Sequence, residues 1–185
     1  MPAPYLSCRS LPLIAGLAAL LATLPAQARD GVAFEAGYGQ HVDLLRVSLT
    51  REWEQPLATG DDWSLGGYWE ATLGHWHPHY AAGGNHDVVD VGITPVFRIT
   101  QRQRAAIAPY AEAAIGAHYL SEHHLYDGRE LSTRFQFGDH IAAGVSFGAQ
   151  HEWDLGVRAQ HLSNGGIKNP NPGINFFQLR ADYHF

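Results

Sequence analysis

The most constraining feature of the sequence is an alternation of apolar and polar residues with a period of two. It is clearest over residues 177–185. One face of this segment holds Phe177, Leu179, Ala181, Tyr183 and Phe185, and the other holds Gln178, Arg180, Asp182 and His184. Successive side chains of a β-strand point to opposite faces, so this period predicts a strand with one apolar and one polar side.

The same alternation recurs in seven segments upstream. They cover about residues 32–38, 45–53, 63–73, 89–99, 107–117, 135–147 and 153–159. Several of these segments are ten or more residues long, whereas strands of soluble proteins average about 5–6 residues and a tilted membrane strand needs about 9–11. The sequence therefore predicts eight strands of membrane-spanning length and disfavours the alternative, a soluble periplasmic β-protein.

The polar faces of the predicted strands are rich in charge. Their ionisable residues are Glu35, Arg46, Glu70, Asp90, Arg98, Glu112, Asp154, Arg158, Arg180 and Asp182. In an eight-stranded barrel side chains fill the narrow interior, where these charges can pair. One residue conflicts with this pattern, because Pro109 falls inside a predicted strand and a proline lacks the backbone donor of a ladder hydrogen bond.

The lengths of the predicted connections alternate as well. The even connections are short, at about residues 54–61, 101–105 and 149–151. Three of the four odd connections are longer, at about residues 75–86, 120–132 and 164–174. Short periplasmic turns with longer extracellular loops are typical of outer-membrane barrels. We therefore predict an all-β fold, an eight-stranded antiparallel transmembrane β-barrel that crosses the bacterial outer membrane many times.

The N-terminal segment is expected to lie outside this fold. Arg9 precedes an apolar run of 14 residues, Leu11 to Leu24, and Ala26-Gln27-Ala28 places small residues before a cleavage point. Such a run reaches about 21 Å as a helix, short of the roughly 30 Å hydrocarbon core. We expect a signal peptide at residues 1–28 and a barrel at residues 29–185.

Two polar residues interrupt the apolar face of the seventh strand near its extracellular end. By parity with residues 153–159, His161 and Ser163 face the lipid, and Asn175 on the next strand does so too. Unsatisfied polar groups in hydrocarbon are costly. In a strand His161 and Ser163 have Cα atoms about 6.6–6.8 Å apart, so the imidazole can act as a general base on the hydroxyl. The alternative is a polar cluster that binds lipid headgroups or interfacial water.

The segment from His161 to Gly173, His-Leu-Ser-Asn-Gly-Gly-Ile-Lys-Asn-Pro-Asn-Pro-Gly, resembles the PagL-type lipid A 3-O-deacylases, most strongly over residues 135–185. The resemblance implies a serine hydrolase that acts on lipid A of lipopolysaccharide, with Ser163 as nucleophile and His161 as base. It further implies an oxyanion or substrate-binding role for a group of small residues that follow the serine. These are Asn164, Gly165 and Asn171, and Asn171 is the candidate oxyanion donor.

This sequence departs from the family at the third catalytic position, where Asn175 stands in place of a glutamate. An asparagine carbonyl can accept a hydrogen bond from His161, but it offers no full negative charge. Asp139 is an alternative partner, since a turn centred on Gln150 would place it opposite His161, with a Cβ separation of about 4.5–5.5 Å. A structural Asp139 that accepts backbone or serine hydrogen bonds is an equal alternative.

The sequence indicates no cofactor and no dedicated metal site. Histidines near the predicted loops are expected to be solvated, namely His75, His77, His79, His123 and His124. The formal net charge of −6 disfavours nucleic acid as a partner. Lipid A and the surrounding outer-membrane lipid are the expected partners, and a homodimer is left open. Two other functions fit the same barrel, a structural protein without catalysis and an outer-membrane phospholipase.

Overall fold

The computed structural model describes residues 29–103 and 105–185, so the predicted signal peptide lies outside the described residues. The period-two segments form strands. They are β1 (Asp30–Gly39), β2 (Val42–Glu52), β3 (Ala58–Thr59), β4 (Trp63–Pro78), β5 (Val88–Gln101), β6 (Ile107–Leu120), β7 (His124–Tyr126), β8 (Arg129–Glu130), β9 (Phe135–Phe147), β10 (Trp153–Ser163) and β11 (Ile174–His184). Across residues 29–103 and 105–185 no helix has the length and apolarity needed to cross a membrane.

The eight long strands close into a barrel. Each pairs antiparallel with its neighbour in the order β2, β1, β11, β10, β9, β6, β5, β4, and β4 pairs in turn with β2. The first and last strands are joined from Gly31–His184 to Tyr38–Phe177. A closed barrel leaves no long strand with a free edge. The predicted eight-stranded antiparallel barrel is therefore confirmed.

The apolar faces of the long strands point outward. Ile141 is 67% exposed and Phe177 is 75% exposed, whereas their polar neighbours His140 and Gln178 are buried. An apolar surface that continues around the whole wall is suited to lipid. Pro109 belongs to this outward face, and the β5–β6 ladder ends at the pair Thr100–Tyr110. The proline thus lies beyond the end of one ladder, which explains why the strand tolerates it.

The inward faces form the predicted network of paired charges. Arg158 donates to Glu70 at 2.9 and 3.1 Å and to Glu35 at 3.2 Å, and all three side chains are buried. A second buried pair joins Arg46 to Asp90 at 2.9 Å. Buried charges are tolerated when they are paired in this way, because removing one partner leaves the other desolvated and uncompensated. Paired charged side chains thus occupy part of the interior.

Connection lengths agree with the prediction only in part. The loops at 121–134 and 164–173 are long, and the first of them contains the β7–β8 hairpin. The predicted loop at 75–86 was drawn too long, because β4 continues through His75 and His77 to Pro78. The remaining loop, 79–87, is no longer than the connection 53–62 at the opposite end. The end that carries the two long loops corresponds to the extracellular end of outer-membrane barrels.

An apolar core occupies the interior at the end that carries the two long loops. Its members come from strand ends and from the 121–134 loop, and they are Val42, Leu44, Trp76, Val88, Leu120, Leu125, Tyr126, Leu131, Leu162, Ile174 and Phe176. Leu162 lies on β10, while Ile174 and Phe176 lie on β11. The inward side of these two strands is therefore fixed by close packing, which gives their outward side chains a rigid base.

Candidate active site

The predicted outward parity of β10 is observed. Leu162 points into the apolar core and is fully buried, whereas His161 and Ser163 on either side of it are half-buried on the outer wall. Ser163 is the last residue of β10, immediately before the 164–173 loop. The imidazole and the hydroxyl therefore share one face at the rim of the barrel.

His161 lies between two polar residues of the neighbouring strands. It pairs directly with Asn175 on β11 and with Asp139 on β9. Its Nδ1 is 2.7 Å from Oδ1 of Asn175. Because an amide oxygen can only accept a hydrogen bond, Nδ1 must carry the proton, which leaves the lone pair of the ring on Nε2. The ring is thus held in the tautomer that a general base requires.

Asp139 occupies the position that the sequence predicted, directly across from His161. It is exposed on the outer wall and pairs on its other side with Ile115 of β6. Within residues 29–103 and 105–185, the hydrogen bond of the His161 ring goes to Asn175, and none joins it to Asp139. Both candidates therefore lie beside the imidazole, and its Nδ1 donates the hydrogen bond to Asn175.

The Nε2 side of the His161 ring faces the end of the 164–173 loop. A Cβ atom added to Gly173 would lie 2.6 Å from Cε1 and 3.0 Å from Nε2 of His161. Gly173 also has a φ of 58°, in the left-handed region. Only glycine fits this position without displacing the ring. Among the described residues no hydrogen bond joins His161 to Ser163.

The asparagines after Ser163 organise the loop. Asn164 is fully buried, and its side-chain nitrogen donates to the carbonyls of Leu131 and Lys168 at 3.2 and 2.8 Å. Its Oδ1 accepts from the N–H of Gly166 at 2.9 Å. Every polar atom of this side chain is therefore engaged in the protein. The inward direction of Asn164 follows from strand parity, since it comes directly after the outward Ser163.

Asn171 and Gly165 lie closer to the outer surface of the loop. Asn171 Oδ1 accepts from the backbone N–H of Asn164 at 3.0 Å, so its side-chain nitrogen is the atom left to act as a donor. Gly165 is exposed with a φ of 63°, and a Cβ atom there would contact the ring of Phe137 at 3.1 Å. These two residues follow the serine in the loop that borders His161.

A shallow apolar groove begins at this cluster and runs down the outer wall. Its upper part has a volume of about 460 Å³ and is bordered by Asp139, His161 and Asn175. An adjoining depression of about 520 Å³ continues toward Val157 and Leu179. The groove suits an extended hydrocarbon chain with its head beside His161.

The histidines near the loops do not form a metal centre. In the part of the chain that the structure describes, no group of three or more His, Cys, Asp or Glu residues is arranged to hold a metal ion. His77 Nδ1 instead contacts Asp87 Oδ1 at 2.8 Å, and His123 is 3.1 Å from Glu122.

Two residues outside the predicted catalytic and oxyanion set also contact the site. Gln40, in the β1–β2 turn, accepts a hydrogen bond from the backbone N–H of Asn175 at 3.3 Å. Arg129, in β8, donates to the carbonyl of Gly173. No local motif marks either residue, because both reach the site from distant parts of the chain.

Known proteins resemble this chain in sequence and in fold. Residues 43–184 match the family described as lipid A 3-O-deacylase (PagL). A lipid A deacylase PagL of Pseudomonas aeruginosa is 34% identical over 154 residues, which cover 83% of this chain and 85% of the relative. Another, of Bordetella bronchiseptica, is 35% identical over 182 residues, which cover 93% of each protein. A crystal structure of the outer membrane enzyme PagL superposes with a TM-score of 0.72 at 28% identity, covering 83% of this chain and 98% of that one.

Proposed function

The chain belongs to the family of lipid A 3-O-deacylases, and on that premise we propose that it is a serine esterase of the bacterial outer membrane. Its substrate is lipid A in lipopolysaccharide, and the bond hydrolysed is the ester of the acyl chain at the 3-position. The observation that carries the mechanism is the 2.7 Å contact between His161 Nδ1 and Asn175 Oδ1, on the same outward face as Ser163.

In this mechanism Ser163 is the nucleophile and His161 is the general base. Nε2 of His161 takes the proton of the Ser163 hydroxyl as its oxygen attacks the ester carbonyl. The tetrahedral intermediate then collapses, and His161 returns the proton to the sugar oxygen, which leaves as an alcohol. Water activated by His161 next attacks the acyl-Ser163 ester, which releases the fatty acid and restores the serine.

Asn175 holds the imidazole in the productive tautomer. Its carbonyl accepts from Nδ1–H and so keeps the Nε2 lone pair available. The dipole of an amide stabilises the imidazolium less than a carboxylate does, because it has no net charge. Asp139 adds a negative charge on the other side of the ring. It is our alternative for the orienting group, ranked lower because it makes no hydrogen bond to the ring among the described residues.

The oxyanion of the tetrahedral intermediate needs hydrogen-bond donors close to Ser163. We assign this role to the side-chain nitrogen of Asn171 and the backbone N–H of Gly165, neither of which donates a hydrogen bond within the described residues. Asn164 supports them indirectly, because its buried amide fixes the turn that carries Gly165.

The position of the cluster supports lipid A as the substrate. His161 and Ser163 lie on the lipid-facing wall near the end that carries the long loops, and the outer leaflet of the bacterial outer membrane consists of lipopolysaccharide. The adjoining groove can hold the acyl chain while its ester lies at the rim. A substrate can therefore enter sideways from the leaflet without leaving the membrane.

Purified protein supplied separately with lipid A and with a glycerophospholipid tests the assignment. We expect fatty acid release from lipid A, and tandem mass spectrometry of the product should place the lost chain at the 3-position. Preferential hydrolysis of the glycerophospholipid would instead identify an outer-membrane phospholipase. No release from either lipid by folded protein would favour a structural barrel.

Activity is expected to be independent of divalent metal. The proposed mechanism obtains its nucleophile by proton transfer from Ser163 to His161, so no metal-activated water is required. Dialysis of the detergent-solubilised protein against a strong chelator should leave the deacylation rate unchanged. Loss of activity that calcium restores would overturn the metal-free mechanism.

A further inference from the structure

A glutamine from the opposite end of the chain reaches the active-site cluster. Gln40 is in the two-residue turn between β1 and β2, where its φ is 52° and that of His41 is 64°. Its Oε1 accepts from the backbone N–H of Asn175 at 3.3 Å and from the guanidinium of Arg129 at 2.6 Å. One side-chain oxygen thus joins the first turn of the barrel to the start of β11.

Arg129 extends this link to the end of the 164–173 loop. Its guanidinium donates to the carbonyl of Gly173 as well as to Gln40. The hydroxyl of Tyr126, from the same hairpin, donates to the Gln40 carbonyl at 3.0 Å, and the Tyr126 side chain is buried in the apolar core. The link is therefore anchored on the packed core as well as on loop residues.

Both ends of this link act on residues that touch the His161 ring. Asn175 holds Nδ1 of the imidazole, and Gly173 packs against its Cε1 and Nε2 atoms. A shift of either residue would turn the ring or close the space at Nε2. The hydrogen bonds of Gln40 and Arg129 oppose such a shift, although neither side chain forms a hydrogen bond with His161 itself.

We propose that Gln40 and Arg129 form a positioning bridge that fixes Asn175 and Gly173 and thereby sets the orientation of the His161 imidazole. This inference rests on the proposed function, because it assigns the bridge to the general base of that reaction. Both are positioning residues. Their contribution lies in holding the base within reach of Ser163, where a displacement of about 1 Å can cost up to roughly 100-fold in rate.

The sharpest variant is Gln40→Asn. Asparagine adopts positive φ more readily than most residues, so the β1–β2 turn is kept. Its side chain is one methylene shorter, so its oxygen no longer reaches Arg129 and the N–H of Asn175. Gln40→Glu is the matching rescue, since a carboxylate of the same length can accept from both donors. Gln150→Asn is the control, because it makes the same Gln-to-Asn shortening in a turn at the opposite end of the barrel.

On purified folded protein, we expect Gln40→Asn to lower kcat by about 10-fold with little change in KM, because the bridge acts on the base rather than on substrate binding. Gln40→Glu should keep at least half of the wild-type kcat, and Gln150→Asn should match the wild type. Arg129→Met, which removes both bonds of the guanidinium, should reduce kcat at least as much as Gln40→Asn. Arg102→Met, which removes an arginine–carbonyl bond at the opposite end, is its control.

A double-mutant cycle separates positioning from general destabilisation. In an Asn175→Ala background, Gln40→Asn should cost less than in the wild type, since the side chain that connects one end of the bridge to the His161 ring has been removed. The proposal is overturned if Gln40→Asn retains full kcat, if it changes only KM, or if its effect is the same in both backgrounds. Absence of turnover in the wild-type protein would instead reject the proposed function.

Discussion

Replacement of Ser163 by alanine is expected to lower the rate of lipid A deacylation on the order of 10³-fold or more, while the barrel stays folded. Ser163 is half-buried on the outer wall and ends β10, so loss of its hydroxyl leaves the strand pairing and the apolar core intact. Initial rates of fatty acid release from lipid A, measured on purified protein, give the effect. Retention of more than a tenth of the wild-type rate would exclude Ser163 as the nucleophile.

His161→Ala should reduce the rate to a similar extent, and the double variant should be little worse than either single variant. A nucleophile and its base act as one unit, so removal of the second member costs little once the first is gone. Thermal unfolding of each purified variant in detergent serves as the control for folding. Rate losses that multiply in the double variant would show that the two residues act independently.

Replacement of Asn175 is expected to have the next largest effect after the loss of Ser163 or His161. Asn175→Ala removes the acceptor that lies 2.7 Å from His161 Nδ1, and we expect turnover to fall by about 100-fold. In chymotrypsin-type triads, exchange of the orienting carboxylate for its amide costs about 10⁴ in turnover. The loss should be smaller here, because an amide already occupies this position. Asn175→Glu should preserve or raise turnover, since a carboxylate stabilises the imidazolium more strongly.

Asp139→Asn distinguishes the two candidates for the orienting group. It removes the charge beside His161 and keeps the size of the side chain, so a small effect is expected if Asn175 orients the ring. A loss larger than that of Asn175→Ala would transfer the role to Asp139. If Asn175→Ala and Asp139→Asn both retained full turnover, neither residue would orient the base.

Most of the barrel could be predicted from the alternation, because the side-chain period of a strand also fixes which residues face the lipid. The pairing register of β9 with β10 followed from the turn that joins them. The connection between β9 and β10 is centred on Gln150, and this alone places Asp139 opposite His161, as observed. Strand ends were less predictable, since β4 continues through His75 and His77, polar residues that resembled the start of a loop.

The choice between Asn175 and Asp139 could not be made from the sequence. Strand parity places both residues on the outer wall beside His161, and only the side-chain conformations decide which one contacts Nδ1. Gln40 was missed for a different reason. It is 135 positions from Asn175 in the chain, and the two meet only because the barrel closes through the β1–β11 pairing.

The most direct test of Ser163 as the nucleophile is the mass of lipid A from bacteria that express either the wild-type chain or Ser163→Ala. Wild-type cells are expected to accumulate lipid A that has lost one ester-linked acyl chain at the 3-position, whereas cells with folded Ser163→Ala in the outer membrane should retain the full acyl set. Identical lipid A in the two strains, with or without the acyl chain, would contradict the claim that Ser163 cleaves it.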